Sequence, residues 1–268
     1  MTVQEKKEVL KARIDEYCRQ DVCVAFSGGV DSSLVLVMAC EAARKNGTRM
    51  YAITMDTVLH PKADVETAKK VLEGTQAVHV ILTMDELAVP EIHNNPKNRC
   101  YLCKRELYGK MLAFAREKGA EVLLEGSNED DLHVYRPGLR AVKELGVKSP
   151  LAECKVTKAE VRKLAAEYGI PVADRPSAPC LATRLPYGAE IDLALLKKID
   201  EAENYLRKFG WRNVRIRVHD KIVRLEVDIE ALEEVVQNRE EIIRYLKELG
   251  FMYITLDLEG FRSGSMDL

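Results

Sequence analysis

The densest phosphate-binding chemistry in this 268-residue chain lies in Val24-Ala25-Phe26-Ser27-Gly28-Gly29-Val30-Asp31-Ser32-Ser33. Val22 to Phe26 reads as a buried strand and Ser27 to Asp31 as a tight turn. Ser32 onward, with Leu34, Val35, Val37 and Met38, reads as a buried helix. Adjacent Gly28 and Gly29 let the backbone approach a bulky anion. Ser27, Ser32 and Ser33 add hydroxyl donors, and the first N–H groups of the helix point at the same place. The segment is a phosphate cradle without the lysine of G-x-x-x-x-G-K-[ST], so it is not an ordinary P-loop. A plain glycine-rich turn is the alternative. Asp31 is a candidate for magnesium or for a water on the phosphate, or for a helix N-cap.

The chain holds seven cysteines, at positions 18, 23, 40, 100, 103, 154 and 180. Cys23 and Cys40 fall in apolar element patterns and read as small buried hydrophobes. Cys18 and Cys154 have no chemical spacing to any neighbour. Arg99-Cys100-Tyr101-Leu102-Cys103-Lys104 carries a C-x-x-C, which suits a redox pair, half a zinc site, part of an iron–sulfur site, or no site at all. Two thiolates cannot complete a four-coordinate zinc site, and no H-x3–5-H or second C-x-x-C exists. A thioredoxin-like pair needs a strand–helix junction, whereas the segment before Cys100 reads as loop. Cys180 lies between Pro179 and Leu181, and Arg175 and Arg184 flank it with charge that favours a thiolate. Three thiolates around one point match a four-iron cluster with one iron left open; separate structural roles are the alternative.

Alternating elements must position these groups. Strands are expected at Val22–Phe26, Met50–Thr54, Ala77–Leu82 and Glu121–Leu124. Helices are expected at Ser33–Asn46, Val65–Glu73, Cys103–Lys118 and Lys158–Tyr168. This order implies an α/β fold, a parallel sheet with helices on both faces. Ligands bind such sheets at the carboxyl ends of the strands, which is where the Ser27 loop, Met55-Asp56 and Gly126-Ser127-Asn128 would lie. After Gly188 the texture changes to a helix Leu193–Phe209, strands Val214–Val218 and Val223–Val227, a helix Ile229–Leu249 and a strand Met252–Leu258. We therefore expect two domains, 1–188 and a small α+β domain at 189–268.

Composition restricts the class. Hydrophobic residues make up 47% and charged residues 31%, enough for a substantial core and against disorder. No apolar run approaches the ~18–20 residues that span a bilayer. The charged, amphipathic Met1–Gln20 is unlike a signal peptide, so the expected location is the cytoplasm with no membrane partner. A net charge of −2 gives no electrostatic reason to expect nucleic acid as a partner.

The segment S-G-G-x-D-S is similar to the PP-loop of ATP pyrophosphatases. Further motifs follow in one order: Glu125-Gly126-Ser127-Asn128-x-x-Asp131, Ser149-Pro150-Leu151, Lys158-x-x-Val161-Arg162, and Pro179-Cys180-Leu181-Ala182-Thr183-Arg184-x-Pro186-Tyr187-Gly188. Arg215-Ile216-Arg217, Arg224-Leu225-Glu226-Val227 and the Gly260-Phe261-Arg262-Ser263-Gly264 tail complete the series. Together they resemble the LarE family of ATP-dependent sulfur transferases from about Glu8 to the tail. Thr183 replaces the family's commoner serine and keeps the hydroxyl.

The resemblance implies an adenine nucleotide alpha hydrolase-like PP-loop domain. It implies adenylylation of a carboxylate of pyridinium-3,5-biscarboxylic acid mononucleotide by ATP with Mg²⁺, then replacement of the acyl oxygen by sulfur for a nickel-pincer nucleotide. Members with only the Cys180-type cysteine sacrifice its sulfur. Those with C-x-x-C as well are thought to hold a [4Fe-4S] cluster, and Cys100, Cys103 and Cys180 put this chain in that class. Pyrophosphate would sit in Ser27–Ser33, with Gly126 at the same strand ends, and Met55 would contact adenine. Lys158 would reach phosphate or be a solvated helix lysine. Arg215 and Arg217 share one strand face suited to a phosphate or second carboxylate, or else form an exposed face in an oligomer contact. Glu203 and Glu226 would bind a divalent metal or orient substrate, although isolated carboxylates are usually surface residues. His79 reads as a core histidine, and no role is fixed for His93.

Other classes are weaker. A tRNA-thiolating PP-loop enzyme needs a basic surface for RNA, whereas acidic residues outnumber basic ones here. A non-catalytic carrier has no need of a pyrophosphate cradle. An amidating synthetase would leave the three cysteines unexplained. The expected partners are the pyridinium mononucleotide, a sulfide donor and a second copy of the chain, since possible edge strands in the C-terminal domain offer a contact surface.

Overall fold

A computed structural model describes residues 1–60, 63–173, 179–262 and 264–266, with the side chains of 63–67 also outside the description. Arg175, expected to flank Cys180, lies outside the described residues. The chain divides into two compact units. The first comprises Met1–Thr57, Lys62–Glu86 and Asn98–Ala178, and the second Val58–Pro61, Leu87–Lys97 and Pro179–Leu268. The stretch from Pro179 to Gly188 thus belongs to the second unit.

The first unit runs α1 (Val3–Tyr17), β1 (Val22–Ala25), α2 (Val30–Asn46), β2 (Met50–Thr57), α3 (Ala63–Leu72) and β3 (Val78–Met84). It continues with α4 (Arg99–Glu117), β4 (Val122–Leu124), α5 (Gly138–Glu144), α6 (Pro150–Glu153) and α7 (Lys158–Glu167). The four strands are parallel in the order β3-β2-β1-β4, with Val22 opposite both Met50 and Val122. Strand alternation decides which side chains face which helices. Val22, Val24 and Ala52 pack with α1, α2 and α7, whereas Cys23, Tyr51 and Ile53 pack with α4 and α5. Helices therefore cover both faces, as expected. The chain moves outward from β1 through β2 to β3 and then returns to the other side of β1 for β4. That reversal opens a crevice at the carboxyl ends of β1 and β4.

Capping sets two helix starts, and α7 begins at Lys158 as expected. Thr2 and Thr157 each form a capping box, with Glu5 and Glu160, and so start α1 and α7. Strand β2 continues to Thr57 because its pairing with β3 extends to Thr57–Met84.

The second unit holds α8 (Leu193–Leu206), β5 (Val214–His219), β6 (Ile222–Val227), α9 (Leu232–Gln237), α10 (Arg239–Glu248) and β7 (Tyr253–Leu256). β5 and β6 are antiparallel, and β7 joins β6 in parallel. The expected single helix Ile229–Leu249 is broken at Asn238. Its side-chain amide donates to Glu234 O at 2.8 Å, a local bond that competes with the helical ladder. Among the described residues no helix is long and apolar enough to cross a membrane.

Candidate active site

In the first unit, the turn after β1 forms the cradle. Gly28 has φ of 73°, a left-handed conformation that glycine adopts without strain. Gly29 is the N-cap of α2, so Asp31 lies inside the first turn and the N-cap alternative for it is excluded. Ser33 N makes the first intrahelical bond, to Gly29 O at 2.9 Å. The amides of Val30, Asp31 and Ser32 precede it in the helix and have no intrahelical acceptor. The Ser32 hydroxyl donates to Gly29 O at 3.1 Å, stands 3.1 Å from the Ser27 hydroxyl, and accepts from Ser27 N at 3.3 Å. These bonds preshape the loop. Ser33 is fully buried, and its hydroxyl has no hydrogen-bond partner among the described residues.

The loop after β4 closes the other side of the crevice. A Cβ on Gly126 would come within 2.7 Å of Ser32 N and 3.1 Å of the Asp31 carbonyl carbon. Only glycine allows this loop to lie against the first turn of α2. Asn128 Nδ2 donates to Asp31 Oδ1 at 3.1 Å, and the Lys158 ammonium pairs with Asp31 Oδ2. Lys158 is thereby aimed at the cradle mouth, and the solvated-lysine alternative gives way. Asp130 accepts from Lys158 N at 2.8 Å and so fixes the start of α7.

Beneath this loop lies Glu125, 4% exposed, a buried carboxylate that had no assigned role in the sequence. It accepts from Ser127 N at 2.9 Å, the Ser127 hydroxyl at 2.8 Å, Tyr108 Oη at 3.4 Å, and the Ser149 hydroxyl. Burial, and then the Glu125 charge, hold the Tyr108 hydroxyl well above its ordinary range, so it stays a donor. The clue in the sequence was position, since Glu125 directly follows a strand at the point where the topology reverses. Met55 lies within β2, half-buried against the core on the α4–α5 side.

Cys100 lies in the first turn of α4 and Cys103 one turn on, where i,i+3 spacing puts both on one side of the helix. Cys100 is exposed and Cys103 buried, and Arg99 Nη2 stands 3.6 Å from Cys100 Sγ. The remaining cysteines of this unit are different. Burial pushes the thiols of Cys18 and Cys23 up to about 12, that of Cys40 to about 11 and that of Cys154 above its ordinary value, as suits packing residues. Among the described residues no three His, Cys, Asp or Glu side chains form a metal-ligating group.

The second unit holds Cys180 at the head of a 3-10 turn, Leu181–Arg184. Arg184 is 1% exposed and makes a fork-to-fork pair with Glu203, Nε to Oε1 at 2.9 Å and Nη2 to Oε2 at 2.7 Å. Its Nη1 donates to Pro179 O at 2.9 Å, Cys180 O at 3.3 Å and the Thr183 hydroxyl at 3.0 Å. The Thr183 hydroxyl in turn donates to Cys180 O at 2.8 Å. Arg217 Nη1 donates to Thr183 O at 2.9 Å, and its Nε donates to Glu226 at 3.1 Å. Arg207 joins Glu203, and Arg224 and Ser265 join Glu226.

Both glutamates are fully buried, contrary to the expectation for isolated carboxylates, and both are committed to arginines. Burial alone would raise the Glu203 carboxyl; the Arg184 bonds overcome it and hold it below its ordinary range. Arg215 and Arg217 are likewise buried, so they do not form an exposed strand face. Burial and the neighbouring Arg184 charge push Arg215 down to about 10, leaving it cationic at neutral pH. The Arg215 guanidinium lies over the Phe261 ring at 5.1 Å. Guanidinium groups thus outnumber carboxylates around the turn, and the excess positive charge suits an anionic ligand.

Residues 1–135 match the ATP_bind_3 model, described as a PP-loop domain. An uncharacterized protein of Synechocystis is 38% identical over 91% of this chain and 91% of its own length. The pyridinium-3,5-bisthiocarboxylic acid mononucleotide synthase of Lactiplantibacillus plantarum is 34% identical over 99% of this chain and 95% of its own length. A tRNA-specific 2-thiouridylase of Rickettsia peacockii is 27% identical over 59% of this chain and 52% of its own length.

Proposed function

The chain belongs to the LarE family of PP-loop proteins, and from that membership we propose that it is an ATP-dependent sulfur transferase acting on pyridinium-3,5-biscarboxylic acid mononucleotide. The observation that carries this reading is the cradle at the β1/β4 reversal, where Ser27–Ser33, Asn128 and Lys158 converge on Asp31.

The chemistry follows from the leaving group. A carboxylate oxygen is a poor leaving group, so sulfur cannot replace it directly. The substrate carboxylate attacks the α-phosphorus of ATP, the bond to the bridging oxygen breaks, and pyrophosphate departs. The amides of Val30, Asp31 and Ser32 and the Ser27 hydroxyl cradle that pyrophosphate, and Lys158 neutralises charge beside it. Asp31 is the group suited to Mg²⁺ or a phosphate-bound water, and Met55 with the β2 backbone offers the adenine contact. A sulfur nucleophile then adds to the acyl carbon, and AMP leaves with the former carboxylate oxygen. Arg215 and Arg217 supply cationic donors for the substrate's phosphate or second carboxylate.

For the sulfur, we favour the cluster class. The i,i+3 thiols of Cys100 and Cys103, with Arg99 beside Cys100, suit two iron ligands, and Cys180 at the head of a braced turn suits the third. A [4Fe-4S] cluster held by three thiolates would supply one open iron on which sulfide is carried deprotonated. Glu203 and Glu226 orient the arginines around the Cys180 turn in this reading; their engagement with guanidinium groups favours orientation over metal binding.

The test is anaerobic incubation with Mg-ATP, sulfide and the pyridinium nucleotide, with iron and labile sulfide measured on the same preparation. AMP and pyrophosphate should form together and only with the nucleotide present. About four irons per chain, lost in both Cys100→Ala and Cys180→Ala, would support the cluster. Absence of iron together with a Cys180 that loses its sulfur would instead establish a sacrificial cysteine.

A further inference from the structure

Asn95 is fully buried in the second unit, in the left-handed conformation at φ 45°. It follows the 3-10 turn Pro90–Ile92, and its amide N donates to Ile92 O at 2.9 Å. Its side chain faces a distant part of the same unit. Asn95 Nδ2 reaches Pro186 O at 2.8 Å, Leu185 O at 3.1 Å and Ala182 O at 3.4 Å. Its carbonyl accepts from Gly188 N at 3.2 Å, and the neighbouring His93 O accepts from Ile191 N at 2.8 Å.

We propose that Asn95 is a positioning residue for Cys180, holding the far side of the Leu181–Arg184 turn so that the cysteine presents one fixed direction. The near side of that turn is held by Leu181 N, which donates to Leu59 O at 2.8 Å, and by the Arg184 bonds to Pro179 and Cys180. On the far side Asn95 gathers the carbonyl oxygens of Ala182, Leu185 and Pro186, beside the Arg217 bond to Thr183 O. Asparagine meets two demands there. It tolerates the left-handed backbone, and its neutral amide offers two N–H groups to the cluster of carbonyl oxygens. Aspartate would keep the backbone but set a carboxylate against those oxygens. Glycine would keep the backbone and remove the donors.

The inference rests on the proposed role of Cys180 in sulfur delivery. It is tested in the full chain with Asn95→Gly and Asn95→Asp, beside wild type and Cys180→Ala. Two readouts are compared, AMP-forming activation and thiocarboxylate formation. A third, the iodoacetamide alkylation rate of Cys180 against Cys100 in metal-free protein, is read by peptide mass and does not depend on activity. Activation within about two-fold of wild type reports an intact fold. On that background thiocarboxylate formation should fall about 10-fold or more in both variants, since small misplacements of a reacting group cost that much or more. The Cys180 alkylation rate should shift severalfold while that of Cys100 does not. Wild-type Cys180 alkylation in both variants would overturn the inference. Sulfur transfer that survives Cys180→Ala would overturn the role given to Cys180, and the alkylation rates would still decide whether Asn95 positions the turn.

Discussion

Lys158, the first residue of α7, pairs with Asp31 in the first turn of α2, and Asn128 donates to the other oxygen of the same carboxylate. Three elements distant in sequence therefore share one acidic group at the mouth of a phosphate cradle. A carboxylate there would repel polyphosphate unless a cation or a metal offset it, and Lys158 supplies the first cation.

Asp31→Asn should leave the fold intact and lower AMP and pyrophosphate formation about 100-fold, as expected for loss of a preorganised electrostatic group. Lys158→Met should mainly raise the KM for ATP. The two effects should be far from additive in a double-mutant cycle, because the groups are in direct contact. Additivity would show that the pair does not act together.

Gly126 lets the β4 loop touch the start of α2. Gly126→Ala places a Cβ 2.7 Å from Ser32 N, and backbone cannot yield as a long side chain can. We expect a stability loss of about 1–3 kcal/mol and at least a 10-fold weaker ATP affinity. Calorimetry with a non-hydrolysable ATP analogue measures both. Unchanged affinity would show that the close approach is irrelevant to the nucleotide.

Glu203 is fully buried between Arg184 and Arg207. Removing its charge leaves Arg184 buried without its anion, so Glu203→Gln should cost about 3–5 kcal/mol at pH 7. The pH dependence has a definite sign. The folded carboxyl titrates below its ordinary value, so its contribution is complete above about pH 5 and is lost as the pH falls through the folded pKa. The stability gap between wild type and variant should therefore narrow on acidification. A gap that widened below pH 4 would contradict the pairing.

Thiol reactivity should separate the cysteines. At pH 8 in metal-free protein, iodoacetamide should modify Cys100 first. Cys18, Cys23 and Cys40, with thiols pushed to about 12, 12 and 11 and limited access, should stay unmodified on the same timescale. Early labelling of Cys23 would contradict the described core.

The cradle and its sheet were legible because strand, glycines and helix start are local and consecutive. Alternating strands and helices then imply the parallel sheet. Asp31 could be singled out from the sequence as a candidate, but its partners could not. Which helix brings a lysine to it depends on the order β3-β2-β1-β4, and periodicity cannot set that order. The alternation of Arg215 and Arg217 was legible too. Their burial was not, since an arginine face looks solvated until buried glutamates at Glu203 and Glu226 are found opposite it. Asn95 shows the same limit more sharply. Its importance lies in carbonyl oxygens some 90 positions later in the chain, and a lone asparagine carries no sign of them.

The most direct measurement is the mass of the pyridinium nucleotide after anaerobic turnover with Mg-ATP and sulfide, with AMP, pyrophosphate and the mass of the protein followed together. We expect one oxygen of the substrate to be replaced by sulfur for each AMP and pyrophosphate released, over more turnovers than there are chains, with Cys180 unaltered. An unchanged substrate mass alongside ATP cleavage, or ADP and phosphate as the products, would contradict ATP-dependent sulfur transfer to this nucleotide.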